Sequence, residues 1–116
     1  MTITGQINTV DYDDEEVRGI HHKPVVRSGK FAAAQGVLPM GLILESDGAG
    51  GYEEAALVAD AVAVLAERLD TDQSTAGAII VHGSVQQQAL KVGAVAPVDP
   101  DGTWLAKLET LGIWPE

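Results

Sequence analysis

The sequence predicts short strands and a terminal helix behind an extended N-terminal arm, an arrangement of α+β character. Three observations predict it. "AIIV" (78–81) is a β-branched run bounded by turn residues. Trp104, Leu105, Leu108 and Leu111 recur at helical spacing between capping residues. Residues 1 to 30 hold clustered charge and few apolar side chains, without sustained periodicity.

In the arm, an acidic run (Asp11, Asp13, Asp14, Glu15, Glu16) precedes four of the chain's seven basic residues, Arg18, Lys23, Arg27 and Lys30. Pro24 biases His22 and Lys23 toward extended backbone. Val25 and Val26 can form a short strand, and an extended segment of this kind can add to the edge of a partner's sheet. Residues 31–116 are expected to form a single compact β-rich domain. Pro39–Met40–Gly41 reads as a turn, Leu42–Leu44 as a strand, and residues 47–51 as a glycine-rich hairpin turn. "AALVADAVAVLAERL" is ambiguous. Its alanines favour helix, while "AVAVLA" alternates like a half-buried strand. "DTDQSTAG" (70–77) is loop chemistry. The last helix is expected to take Asp99 as its cap and Pro100 in its first turn. Lys107 suits the negative end of its dipole, Gly112 supplies a left-handed C-cap, and Pro115 blocks continuation.

A chain of 116 residues suits one domain with a modest core, which oligomerisation would help. The 17 acidic and 7 basic residues give a net charge of −10. That balance argues against a nucleic-acid surface and against anionic lipid. Cysteine is absent, so disulfides play no part and a reducing compartment fits. No apolar stretch approaches the ~18 residues of a membrane span. "MTITGQINTV" has neither a cationic start nor an apolar core, so no signal peptide is expected.

Motifs for chemistry are incomplete. Asp70, Asp72 and Ser74 open like a calcium loop, but Thr75 and Val81 stand where Gly and Glu are needed. "DGAGG" (47–51) completes no phosphate-binding pattern, and Glu53 and Glu54 follow it. His21, His22 and His82 could ligate a metal only with further ligands from elsewhere. His82 and Ser84 would share a face if 78–85 is a strand, which permits a hydrogen bond without implying a catalytic triad. No catalytic residue, cofactor or metal is expected.

The ordered set of segments carries more information. Leu38, Pro39, Gly41 and Leu44 form an L-P-x-G-x-x-L-like turn. Ala61, Val62, Val64 and Leu65 follow, with Asp70 and Thr71 as an acidic turn. Val81, Gly83, Val85 and Leu90 make a V-x-G-x-V strand end with a downstream leucine. Leu108, Leu111, Gly112 and Ile113 close the series. Over residues 20–115 this resembles the phage lambda type head decoration protein family.

The resemblance implies a mainly β fold of the β-clip kind with small helices, and strand at 61–66. It also implies a homotrimer without enzymatic activity, seated on the outer capsid at three-fold and quasi-three-fold positions. The trimer would stabilise the expanded head in the virion, its partner being the phage major capsid protein. Val17, Ile20, Val25 and Val26 are the expected capsid contacts, because exposed extended apolar residues suit strand addition. Two alternatives remain: a trimeric β-clip enzyme such as a nucleotide hydrolase, using Asp70 or Asp72, and a small-ligand or metal-binding accessory domain. Gly83 is expected to mark a bulge or a close backbone approach.

Overall fold

The computed structural model describes residues 22–116. The fold is mainly β, with one C-terminal α-helix. Its strands are β1 (Val25–Lys30), β2 (Val37–Leu38), β3 (Ile43–Ser46), β4 (Tyr52–Glu54), β5 (Ala61–Leu65), β6 (Leu69–Asp70), β7 (Ala76–Val85) and β8 (Ile113–Pro115). The helix α1 spans Gly102–Thr110, and 3-10 turns occupy Val58–Asp60 and Gln87–Ala89.

The main sheet runs β1-β7-β5-β3-β4, all antiparallel, and β8 pairs in parallel with the far end of β7. A short β2-β6 ribbon lies apart. The sheet curls until its two edges touch: Phe31, just past β1, bridges Tyr52 at the start of β4.

Both faces of the sheet are buried. Ile43, Val64 and Ile80 face one core with Val85, Leu90, Leu108 and Ile113, and α1 covers that side. Leu44, Ala63, Leu65 and Ile79 face a second core with Phe31, Leu38 and Leu69, closed by the β2-β6 ribbon. Each fully buried leucine or isoleucine contributes roughly 1.5–3 kcal/mol.

The segment 61–65 is strand, and its ambiguity has a physical source. Leu44 pairs with Ala63 but Glu45 pairs with Ala61, so Val62 is an extra, bulged residue. The bulge breaks the two-residue alternation. It turns Ala61 and Val64 to one core and Ala63 and Leu65 to the other, while Val62 stays exposed.

Two expectations are corrected. First, residues 25–30 are not part of an arm, because β1 is an edge of the main sheet, in register with β7 from Lys30↔Ala76 to Val26↔Ile80, beyond which Val81 is bulged and Val25 pairs with His82. Arg27, Ser28 and Lys30 remain exposed, which is how an edge strand holds charge without losing its pairing. Second, Asp101 rather than Asp99 caps α1. The Asp101 carboxylate accepts from Thr103 N at 3.0 Å and Trp104 N at 3.3 Å, while Asp99 is drawn to Lys91 Nζ at 3.0 Å. Pro100 therefore precedes the helix. At the other end Gly112, at φ +82°, supplies the expected left-handed cap, its N–H donating to Glu109 O.

Two motif glycines mark places where backbone crosses backbone. Gly41, at φ +86°, donates to Leu65 O and accepts from Lys91 N, and a Cβ there would overlap the Ala89 carbonyl. Gly83, at φ +109°, lies under the incoming N-terminal segment, where a Cβ would stand 2.6 Å from Pro24 Cα and 2.8 Å from Lys23 O. By contrast, Gly48 has positive φ in open space. Gly83→Ala should therefore cost roughly 3 kcal/mol or more, from backbone strain and overlap together. Gly48→Ala should cost only about 1 kcal/mol. Urea unfolding of the two variants measures the difference, and equal losses would contradict the crossing at Gly83.

Candidate functional site

The end of β7 gathers both ends of the described chain. His22 N donates to Ser84 Oγ at 2.8 Å, and Ser84 N donates to His22 O at 2.9 Å. Lys23 and Pro24 then cross Gly83, and β1 begins. On the other side of β7, Gly83 N donates to Gly112 O, and Glu116 N donates to Val85 O. Trp114 of β8 stands between two imidazoles. Its ring lies 4.6 Å from that of His22, tilted by 41°, and 5.1 Å from that of His82, edge to face. A Cβ on Gly112 would touch the His82 ring, so glycine there leaves room for the histidine as well as for the cap.

This geometry reassigns the residues that suggested chemistry. Val81 is an extra, bulged residue of β7 and Gly83 has positive φ, so strand alternation breaks here, and His82 is exposed while Ser84 is buried. Ser84 Oγ serves the His22 amide, and the expected sharing of a face with His82 does not occur. His21 lies outside the described residues. Among the described residues no three His, Asp or Glu side chains gather in a group that could hold a metal. Asp70 Oδ1 accepts from Asp72 N at 3.0 Å, and Asp70 O accepts from Gln73 N and Ser74 N, which makes this stretch a self-satisfied turn.

The motif residues have structural positions. Leu38 and Val85 are fully buried, Val81 packs half-buried against the second core, and Leu111 packs half-buried against the first. Pro39 bends the chain, its carbonyl accepting from Leu42 N. Of the four expected contact residues, Val17 and Ile20 lie outside the described residues. Val25 is 44% exposed at the start of β1. Val26 packs against the first core, opposite Ile80, so its side chain already serves this domain's own packing.

Several carboxylates gather on the β3–β4 hairpin. Asp47 accepts from Ala49 N at 2.7 Å and Gly51 N at 3.0 Å. These amide bonds, aided by Lys30, hold its carboxyl below the usual carboxylate range. Glu45 and Glu53 face each other in register. Their shared hydrogen bond, then desolvation, then the charges of Glu45, Asp47 and Glu54, push Glu53 above its ordinary value.

Sequence reasoning missed three features of these surfaces: the Ser84–His22 clasp, the stacking of Trp114 and the apolar loop 92–98. Only the last had a local signal, the run "VGAVAPV". No helix among the described residues is long and apolar enough to cross a membrane. No family model and no curated protein matches the chain.

Two measurements test this site. Ser84→Ala leaves the His22 amide without its partner and should cost about 1–3 kcal/mol, with a red shift of Trp114 emission as the clasp loosens. The carboxylates should respond to pH with opposite signs. Asp47, with its lowered folded value, adds stability above its unfolded pKa that is lost as pH falls through the folded one. Glu53, with its raised value, adds stability below its unfolded pKa that is lost as pH rises through the folded one. At pH 7 Asp47→Asn should therefore lower the melting midpoint and Glu53→Gln should raise it, with both differences shrinking in acid.

Proposed function

We propose that this chain is a phage head decoration protein. It is a structural component without enzymatic activity that binds the outside of an expanded capsid as a homotrimer and reinforces it. The observation that carries the reading is where the resemblance residues fall. Gly41, Gly83 and Gly112 each meet another part of the chain at its close approach to backbone or ring, and Leu38, Val85, Leu90, Leu108 and Ile113 fill the cores between them. Several of the resemblance residues thus fix the chain path, which supports the reading.

The remaining properties are compatible. A small domain gains buried surface by trimerising, and an acidic outer surface suits a protein that never needs to meet DNA. The partner is the major capsid protein, and the virion surface is the location. In this reading the segment before His22, with Val17 and Ile20, and the exposed Val25 contact the shell. Val26 leaves that set because its side chain is used in the core.

Co-sedimentation with undecorated, expanded capsids of the phage or prophage that encodes the chain tests the reading, with particle mass measured in solution. Saturable binding as trimers is expected, and failure of the full-length protein to bind such shells defeats the proposal. Deletion of residues 1–21, which spares the clasp and β1, should weaken binding without unfolding the domain. His82→Ala should leave capsid binding nearly intact and cost about 1 kcal/mol through lost ring packing.

A further inference from the structure

We propose that the Glu45–Glu53 pair is a pH-sensitive latch on the crossover 55–60, holding that segment while the two carboxyls share one proton and releasing it when both are charged. The device goes beyond the capsid reading and does not depend on it.

The strand order β5-β3-β4 fixes the path of this segment. The chain leaves β4 beside Ile43, where Ala55 N donates to Ile43 O at 3.0 Å, and must reach Ala61 on the far side of β3. Residues 55–60 therefore cross β3, and buried Ala55 and Ala61 place the crossing on the side of the first core. Ile43 faces that core and Leu44 the other, so alternation puts Glu45 on the crossover's side. Glu45 Oε1 accepts from Ala56 N at 2.9 Å, which ties the crossover to the strand beneath it. Ala56, Leu57, Ala59 and Asp60 are exposed, and none of Val58–Asp60 is buried. A segment with so little apolar burial takes much of its order from such a bond.

Glu53 of β4 stands directly opposite Glu45. Paired residues share a face of the sheet, so Glu53 lies beside the carboxylate that holds Ala56. Two carboxyls in hydrogen-bond contact need a proton between them, and like charges directly opposite repel. Glu53 is pushed above its ordinary value first by that hydrogen bond, then by desolvation and by the charges of Glu45, Asp47 and Glu54, all negative. β5 sets uncharged Ala61 opposite Glu45, the crossover carries Asp60, and α1, which lies against Val58–Asp60, carries Lys107 and Glu109. With Glu53 protonated, its O–H donates to Glu45 and fixes that side chain, leaving Oε1 for the Ala56 amide. As pH rises through the folded value of Glu53, the proton leaves, the two charges separate, and Glu45 swings off Ala56 N. The raised value therefore puts the hold on the acid side and the release on the alkaline side.

Amide hydrogen exchange of the full-length protein and its Glu53→Gln and Glu45→Ala variants, read by NMR from about pH 5 to 8, tests the latch. After correction for intrinsic base catalysis, protection of the Ala56 amide should fall roughly fivefold or more as pH rises, the loss of one hydrogen bond. The Ala55 amide, bonded to Ile43 O, should keep its protection throughout and serves as the reference. Glu53→Gln supplies an uncharged donor at every pH, so Ala56 should stay protected across the range. Glu45→Ala removes the acceptor, so Ala56 should stay weakly protected across the range. Protection of Ala56 that does not change with pH in the unaltered protein overturns the latch, since Glu53 then moves aside alone. The same fall in Glu53→Gln, or a matching fall at Ala55, also overturns it, by assigning the change to another group or to opening of the whole hairpin.

Discussion

The structure depends on strand β7 being usable on both sides along its whole length. One side pairs with β1 through residues 76–82 and then with the backbone of His22 at Ser84. The other side pairs with β5 at Ile79 and Ile80, and with β8 from Gly83 to Val85. Ten residues thus join the first described segment, the middle of the sheet and the C-terminus. A strand so heavily shared has no room for a side chain where a third segment crosses it. Gly83 is the point at which that constraint becomes a residue requirement, because the backbone of Lys23 and Pro24 occupies the space a Cβ would fill.

Where β5 and β7 part, a side chain completes the pairing. Beyond Ala66, whose N–H donates to Ala78 O, the carboxylate of Glu67 accepts from Ala78 N at 2.7 Å. Thr71 does similar work under the second core. It is buried, its hydroxyl accepts from Gln35 N and donates to Gly36 O, and it ties the loop before β2 to the loop after β6. Buried polar groups tolerate such positions only when paired. The two cores are small, and these polar joints set the registration between the segments that enclose them.

Charge is distributed unevenly over this frame. Arg27 and Lys30 lie on β1, while Glu45, Asp47, Glu53 and Glu54 crowd the β3–β4 hairpin. The curled sheet brings the end of one edge to the start of the other, where Lys30 helps lower the Asp47 carboxyl. Crowded like charges weaken a folded surface modestly where water screens them.

Much of the fold was legible in the sequence because its signals are local. β-branched residues marked β7, helical spacing and Gly112 marked α1 and its end, and turn residues marked the hairpin at 47–51. The ordered motif set pointed to strand at 61–66 against the helix propensity of its alanines. The helix cap lies at Asp101 rather than Asp99 because the helix begins only at Gly102, while the Val92–Val98 bridge sets Asp99 beside Lys91. Residues 25–30 read as an arm because an edge strand exposing Arg27, Ser28 and Lys30 has little apolar pattern of its own. Its partner β7 lies fifty residues away. The sequence by itself therefore determined β7, the terminal helix and its end, the hairpin turn, the acidic balance and the glycines the chain path requires. Only the tertiary structure decided what those glycines accommodate, which histidine packs where, and that Ser84 holds a backbone amide. Those outcomes depend on which distant segments meet, and no local periodicity encodes that.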